Sequence, residues 1–226
     1  MKIEHDKILP YGNLGATLDI EGGRTWIFAQ RGLASLELDI NRLNYFEVGP
    51  KHGLHTLCIN QYKPASITCV ESPTKLKEER FNAWQKQLNT NFKIVHEDFN
   101  TYFDGKLYDL IFYTGVIYHN INQISQLKKL HSLASEDAYM IFESATSRNE
   151  KIKEENMIEV FHPPYSNQYR DVKTISFLPT KLACKSMLEL SGWEIISTCE
   201  DYEDLELVDR INILCKKNNS LKSLHA

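Results

Sequence analysis

The chain has 226 residues, 42% apolar and 25% charged, with a formal net charge of −4. That length supports one large α/β domain with its own core and excludes two well-separated ones, and the mild negative balance supplies no global basic field for nucleic acid. No stretch is long and apolar enough to span a bilayer, and the start, MKIEHDKILP, lacks a signal-peptide core, so a cytoplasmic location without a membrane partner is expected.

Residues 1–42 hold no clear element, although LASLELDINRL has the composition of a short helix or a lead-in strand. From Leu43 a regular alternation begins. LNYFEVG reads as a strand and GLHTLCINQY as a helix, by its apolar spacing. SITCVES is β-branched and mostly apolar, as a strand buried on both faces should be. SPTKLKEERFNAWQKQL follows as a helix, with Pro73 beside the capping residue Ser72. FKIVHED and LYDLIFYTGV are the third and fourth strands. ISQLKKLHSLA is a helix, AYMIFES a fifth strand, and TKLACKSMLELSG a helix closed by Gly192. WEIISTCED and RINILCKK complete the set, joined by the acidic loop YEDLELVD; they are placed to pair antiparallel at one edge. Residues 43–217 thus form the α/β domain, after a lead-in over 1–42 and before a polar tail over 218–226. Strands alternating with helices predict a mostly parallel sheet covered on both faces, with a ligand over the carboxyl ends of its strands.

The five cysteines (Cys58, Cys69, Cys184, Cys199, Cys215) are odd in number and scattered, and none forms a C-x-x-C pair. They read as small buried hydrophobes in a reducing compartment; neither disulfides nor a metal site is expected.

The most telling stretch is YFEVGPKHG. A strand ends in an acidic residue and feeds a loop whose glycines, Gly49 and Gly53, allow a sharp turn and a close approach of backbone to ligand. Glu47 is a carboxylate where a phosphate-binding loop would have none, which argues for a cofactor without a pyrophosphate. The pattern E-x-G-x-x-x-G resembles the first motif of class I S-adenosylmethionine-dependent methyltransferases. That resemblance implies a Rossmann-like fold with seven strands, the last inserted antiparallel, and an acidic residue acting on the cationic amino-acid end of the cofactor. Many such enzymes carry a further glycine where this chain has Lys51, which stands between Pro50 and His52.

Further candidates lie at the strand ends. Glu71 closes the second strand, where a carboxylate accepts both hydroxyls of a ribose or, alternatively, caps the next helix. Asp98 follows the third strand as an acceptor for an adenine amino group, with Phe99 as a stacking surface; an Asp there is also a common turn former. The fourth strand ends in YTGVIYHN. Thr114 and Gly115 turn the chain, and Tyr118 and His119 offer a phenolic donor and an imidazole that titrates near neutrality. Pro163, Pro164, Tyr165 and the run SNQYRDVK interrupt the alternation, as lids and substrate walls do. Arg170 is a fixed cation there, either pairing with an anion or facing solvent.

Taken with GPKHGLHTL, YTGVIYHNINQISQLKKL and VKTISFLPTKLACKSMLELSGWEII, the chain resembles the tRNA wobble-uridine carboxymethyltransferases over roughly residues 43–200. The G-V-x-Y-H and F-x-P-[ST] segments are more specific than the glycine loop. The resemblance implies that Gly49, Glu71 and the Thr114 region contact cofactor, that Tyr118 reaches the transferred group and that Arg170 lies near the active site. It implies carboxy-S-adenosylmethionine as donor and 5-hydroxyuridine at the first anticodon position as acceptor. This chain departs from that family in three places: Asn120 stands where the family has an arginine, the long helical N-terminal extension is missing, and the Trp- and Lys-rich lead-in is reduced to EGGRTW.

The expectation is therefore methyl transfer from S-adenosylmethionine to an undetermined small-molecule or nucleic-acid acceptor, with carboxymethyl transfer to tRNA as the alternative. Catalytic candidates are Tyr118, His119 and Arg170; cofactor candidates are Glu47, Gly49, Gly53, Glu71, Asp98, Phe99 and Thr114. Homo-oligomerisation is left open. An NAD-dependent oxidoreductase is the first rival, opposed by Glu47 and the missing middle glycine. A catalytically silent relative that binds the cofactor is the second.

Overall fold

The computed structural model describes residues 20–51, 53–73, 93–161, 175–200 and 209–220. The chain divides into two compact units, Met1–Phe112 and Tyr113–Ala226.

The first unit opens on helix α1 (Ile20–Ser35) and a 3-10 turn (Ile40–Arg42). Strand β1 (Asn44–Val48), helix α2 (Leu54–Asn60), β2 (Ser66–Glu71) and β3 (Lys93–His96) follow, and β4 (Tyr108–Thr114) runs across the division. Strands β1, β2 and β3 pair in parallel, with Glu47 opposite Cys69 and Glu71 opposite His96. β2 is buried along nearly its whole length, as its continuous apolar run requires. The core of this unit is aromatic. The wholly buried Phe46 ring lies 4.6 Å from Tyr108, 5.6 Å from Tyr102 and 6.2 Å from Phe99. Tyr45 and Trp26 pack on Phe112 at 5.4 and 6.4 Å.

The second unit begins with the end of β4 and a 3-10 turn (Ile117–His119). It continues through helix α3 (Gln123–Leu133), β5 (Ala134–Thr146), β6 (Ile158–Phe161), β7 (Ser176–Pro179), α4 (Lys181–Leu190), β8 (Trp193–Cys199) and β9 (Asp209–Lys217). β9 runs antiparallel to both β5 and β8, with a register shift between Ile195 and Ser197. Thr180 caps α4 by accepting from the Ala183 N–H at 3.1 Å, and Gly192 ends it with a positive φ of 86°. Only glycine fits there, because a Cβ would stand 2.6 Å from Nε2 of His131. Trp193, buried next to it, donates its indole N–H to the Leu127 carbonyl.

Seven strands form one sheet in the order β3-β2-β1-β4-β5-β9-β8. This is the α/β architecture expected from the alternation, with the final strand inserted antiparallel. The two last strands do pair with each other, but β9 lies inside the sheet and β8 takes the edge.

Two features depart from the sequence reading. Residues 20–35 are helical, so the segment before β1 is not featureless: Trp26, Ala29 and Leu33 recur at helical spacing and are buried. Gly22 and Gly23 in that stretch weaken the helical signal. The segment between β5 and α4 contains a two-stranded antiparallel sheet of β6 and β7, with Val160 opposite Phe177. Strands of four residues are too short for their periodicity to stand out.

The expected helix after Pro73 falls largely outside the described residues. So do the Pro163–Tyr165 stretch, the acidic loop before β9 and most of the polar tail. Among the described residues no helix is long and apolar enough to cross a membrane. Cys58, Cys69, Cys184 and Cys215 are buried free thiols and Cys199 is half-buried; burial pushes the thiols of Cys69, Cys184 and Cys215 up.

Candidate functional site

The glycine loop leaves β1 with its backbone in the left-handed region at three positions: Gly49 (φ 65°), Lys51 (φ 53°) and Gly53 (φ 73°). Gly49 N–H donates to the Val70 carbonyl at 2.8 Å, and Gly53 N–H to that of Pro50 at 2.7 Å. Lys51 thus adopts a backbone conformation that glycine takes most readily, while its side chain is exposed. His52 lies outside the described residues.

Glu47 sits at the end of β1, 1% exposed. Its Oε2 accepts from the Tyr45 hydroxyl at 2.9 Å and from the Thr56 hydroxyl, and its Oε1 lies 3.3 Å from Nδ1 of His55. Tyr45 reaches it because residues two apart share a strand face, and His55 and Thr56 because they occupy the first turn of α2. Thr56 Oγ1 also lies 3.2 Å from Cys69 Sγ. Burial, together with the neighbouring Glu47 charge, holds the Tyr45 phenol and the Cys69 thiol in their neutral forms.

Glu71, buried at the end of β2, accepts the Lys51 N–H at 3.0 Å on Oε2 and the Ser72 N–H at 2.8 Å on Oε1. It therefore ties the glycine loop to the neighbouring strand end. Its Oε1 also accepts from the Ser72 hydroxyl at 3.2 Å. Asp98 is exposed, with Oδ1 accepting from both the backbone and the side-chain amide of Asn100 at 2.9 Å. This is the turn-forming role the sequence allowed. Phe99 is 6% exposed, its ring turned into the core against Phe46.

In the second unit, Thr114 ends β4 partly exposed and Gly115 follows at φ 71°, its N–H donating to the Glu143 carbonyl at 3.1 Å. A Cβ at Gly115 would stand 3.7 Å from Glu143 Oε2 and 3.8 Å from the Tyr118 hydroxyl, so two polar groups face this turn. The Tyr118 ring packs on the cluster of Ala145, Phe161 and Leu178, and lies 4.4 Å from the ring of the exposed His119. Glu143 Oε1 is bound by Arg210 Nη1 at 2.6 Å, both side chains nearly excluded from solvent. Asn212 stands across from Glu143 in register and is wholly buried. Arg170 lies outside the described residues.

His55, Glu143 and Arg210 in these clusters were not among the sequence candidates. The available signal was a charge or imidazole inside an apolar run (GLHTLCI, AYMIFES, RINILC), but its partner depends on register across distant strands.

No family model matches the chain. It is 25% identical over 179 residues to the tRNA U34 carboxymethyltransferase of Wolinella succinogenes, covering 77% of this chain and 61% of that protein. The chain thus spans about three-fifths of the length of the curated relative it matches. Among solved structures, it is similar to the N-methyltransferase NodS of Bradyrhizobium japonicum in complex with S-adenosyl-L-homocysteine, with a TM-score of 0.64, 13% identity and coverage of 95% of this chain and 94% of that one. It is also similar to an S-adenosylmethionine-dependent methyltransferase of Mesorhizobium loti, with a TM-score of 0.63, 11% identity and coverage of 85% and 98%. At these identities the likeness is one of fold. The protein has the Rossmann-like fold of class I S-adenosylmethionine-dependent methyltransferases.

Proposed function

We propose that this protein is a class I S-adenosylmethionine-dependent methyltransferase acting on a small-molecule or nucleic-acid acceptor. The observation that carries the reading is the buried carboxylate pair at the ends of β1 and β2: Glu47 behind the glycine loop and Glu71 bonded to its Lys51 amide. Glu47 so placed suits the cationic end of a nucleoside and disfavours a pyrophosphate, which counts against the NAD reading. In this proposal Glu71 takes the ribose hydroxyls and Gly49 and Gly53 let the cofactor lie close to the backbone. Asp98 contributes its carboxylate to the adenine edge, and Thr114 keeps its candidacy for cofactor contact. Phe99 supports that end from within the core and is not an open stacking face.

When bound, S-adenosylmethionine supplies a methyl group made electrophilic by its sulfonium. The chain's own residues then need to align the acceptor, exclude water and, where the acceptor carries a proton, remove it. Tyr118 is the orienting donor, its ring fixed by the Ala145, Phe161 and Leu178 cluster. His119, exposed and against the Tyr118 ring, is the candidate base. Arg170 keeps its sequence-based candidacy near the acceptor. Tyr118→Phe is expected to lower kcat by roughly tenfold, within the range of a lost orienting or proton-transfer group, with cofactor affinity unchanged. Equal losses in kcat and in S-adenosylhomocysteine affinity would make Tyr118 a cofactor wall instead.

The similarity to the Wolinella tRNA U34 carboxymethyltransferase supports a second reading, carboxymethyl transfer from carboxy-S-adenosylmethionine to tRNA uridine. Mass spectrometry of tRNA incubated with each donor separates the two: gain of a carboxymethyl group supports the second reading, and gain of a methyl group or of nothing removes it.

A further inference from the structure

His55 has no role in the scheme above, yet it is an ionisable side chain buried against the acidic residue of the glycine loop. The Glu47 carboxyl lies where almost no water reaches it, so its oxygens must be met by polar partners. Two hydroxyls, of Tyr45 and Thr56, converge on Oε2. Oε1 faces the imidazole, with Nδ1 at 3.3 Å and the His55 ring seated 5.4 Å from that of Phe112. The packing fixes the ring plane, with Nδ1 the nitrogen turned toward the carboxyl.

We propose that His55 is a positioning residue for the cofactor: through Nδ1 it orients the Glu47 carboxyl behind the Gly49–Gly53 loop for the cationic amino-acid end of the ligand. This inference rests on the cofactor reading given above and deepens it. A buried carboxylate is weakly screened and acts on a cation that it does not touch. Because His55 and Thr56 are neighbours in the first turn of α2, the same contacts also fix the end of the loop that enters that helix at Gly53.

The test uses two ligands that share a nucleoside and differ in the amino-acid end. The full-length protein and its His55→Ala and His55→Asn variants are titrated calorimetrically with S-adenosylhomocysteine and with methylthioadenosine. His55→Ala is expected to weaken S-adenosylhomocysteine about tenfold, the size of one hydrogen bond to a charged group, and methylthioadenosine less than about twofold. His55→Asn, which keeps a donor near the Nδ1 position, recovers most of the loss. If the alanine variant does not fold, His55→Gln against His55→Asn carries the same contrast, since glutamine keeps polarity but displaces the donor. Equal weakening of both ligands, or none of either, overturns the positioning role while leaving the cofactor reading intact. Failure of the wild-type protein to bind S-adenosylhomocysteine overturns both, and is distinguished by appearing before any substitution is made.

Discussion

Two buried glutamates, one in each unit, solve the same problem in opposite ways. Glu47 on β1 is met by two hydroxyls and an imidazole, Glu143 on β5 by the guanidinium of Arg210 at 2.6 Å. Both are nearly excluded from solvent. Hydroxyl donors stabilise a carboxylate without adding an opposite charge; a guanidinium stabilises it by cancelling its charge. The first arrangement sets a buried, hydroxyl-bonded carboxyl beside a glycine loop. The second makes a neutral, geometrically fixed wall beside Gly115 and the Tyr118 hydroxyl. Burial of an acid alone therefore says little about function. The charge of its partners decides whether it attracts a cation or holds two strands in place.

The sharpest way to break this contrast is to leave Glu143 without its cation. Arg210→Met is expected to destabilise the protein by about 3–5 kcal/mol in urea unfolding, the penalty for an unpaired buried charge, and Arg210→Met with Glu143→Gln to recover most of it. A double variant no more stable than the single one would mean that the pair is not a closed electrostatic unit. On the other side, Thr56→Val removes one neutral donor from Glu47 and should cost about 1–2 kcal/mol. A loss as large as that from Arg210→Met would erase the distinction between the two sites.

A third acid provides an internal control through pH. Asp104 accepts the Tyr108 hydroxyl at 2.7 Å and the Lys106 N–H at 3.1 Å, and Lys93 Nζ lies 3.5 Å away. Burial pushes its pKa up, but hydrogen bonds from Tyr102, Tyr108 and Lys106, with the Lys93 charge, hold it below the usual carboxylate value. A lowered folded-state pKa contributes stability that is fully present above the unfolded value of about 3.9 and is lost as pH falls through the folded value. Unfolding followed against pH should therefore show a shallower acid limb below about pH 4 in Asp104→Asn than in the wild type. Identical limbs would place the acid sensitivity elsewhere. The smallest expected effect is a gain: Lys51→Gly relieves a left-handed backbone at φ 53° and should stabilise the protein by about 0.5–1 kcal/mol net of glycine's greater unfolded-state entropy. A loss would show that the Lys51 side chain contributes contacts of its own.

Much of the architecture was legible in the residues, and the reason is physical. Runs such as SITCVE and LIFY alternate with helical spacings, and period is a local property that one chain reveals by itself. The carboxylates at the ends of β1 and β2 were legible for the same reason, because a glycine turn marks where a strand stops. What escaped the reading was set by distance along the chain or by weak local signal. Arg210 meets Glu143 only because β9 pairs with β5 in a particular register, which no spacing encodes. His55 looked like part of an amphipathic helix until the first turn of α2 was seen against β1. Phe99 looked like a stacking surface, yet an aromatic beside a strand end is equally at home in a core, and Phe46, Tyr102 and Tyr108 claim it there. Helix α1 was masked by two glycines, and the β6–β7 hairpin by its brevity.

The central claim is that the buried acids beside the glycine loop serve a cationic nucleoside and not a dinucleotide. Calorimetric titration of the purified full-length protein with S-adenosylhomocysteine and, separately, with NAD tests it most directly. Saturable one-to-one binding of the first and none of the second is the expected result. Binding of NAD, or heats of dilution alone with both ligands, would contradict it.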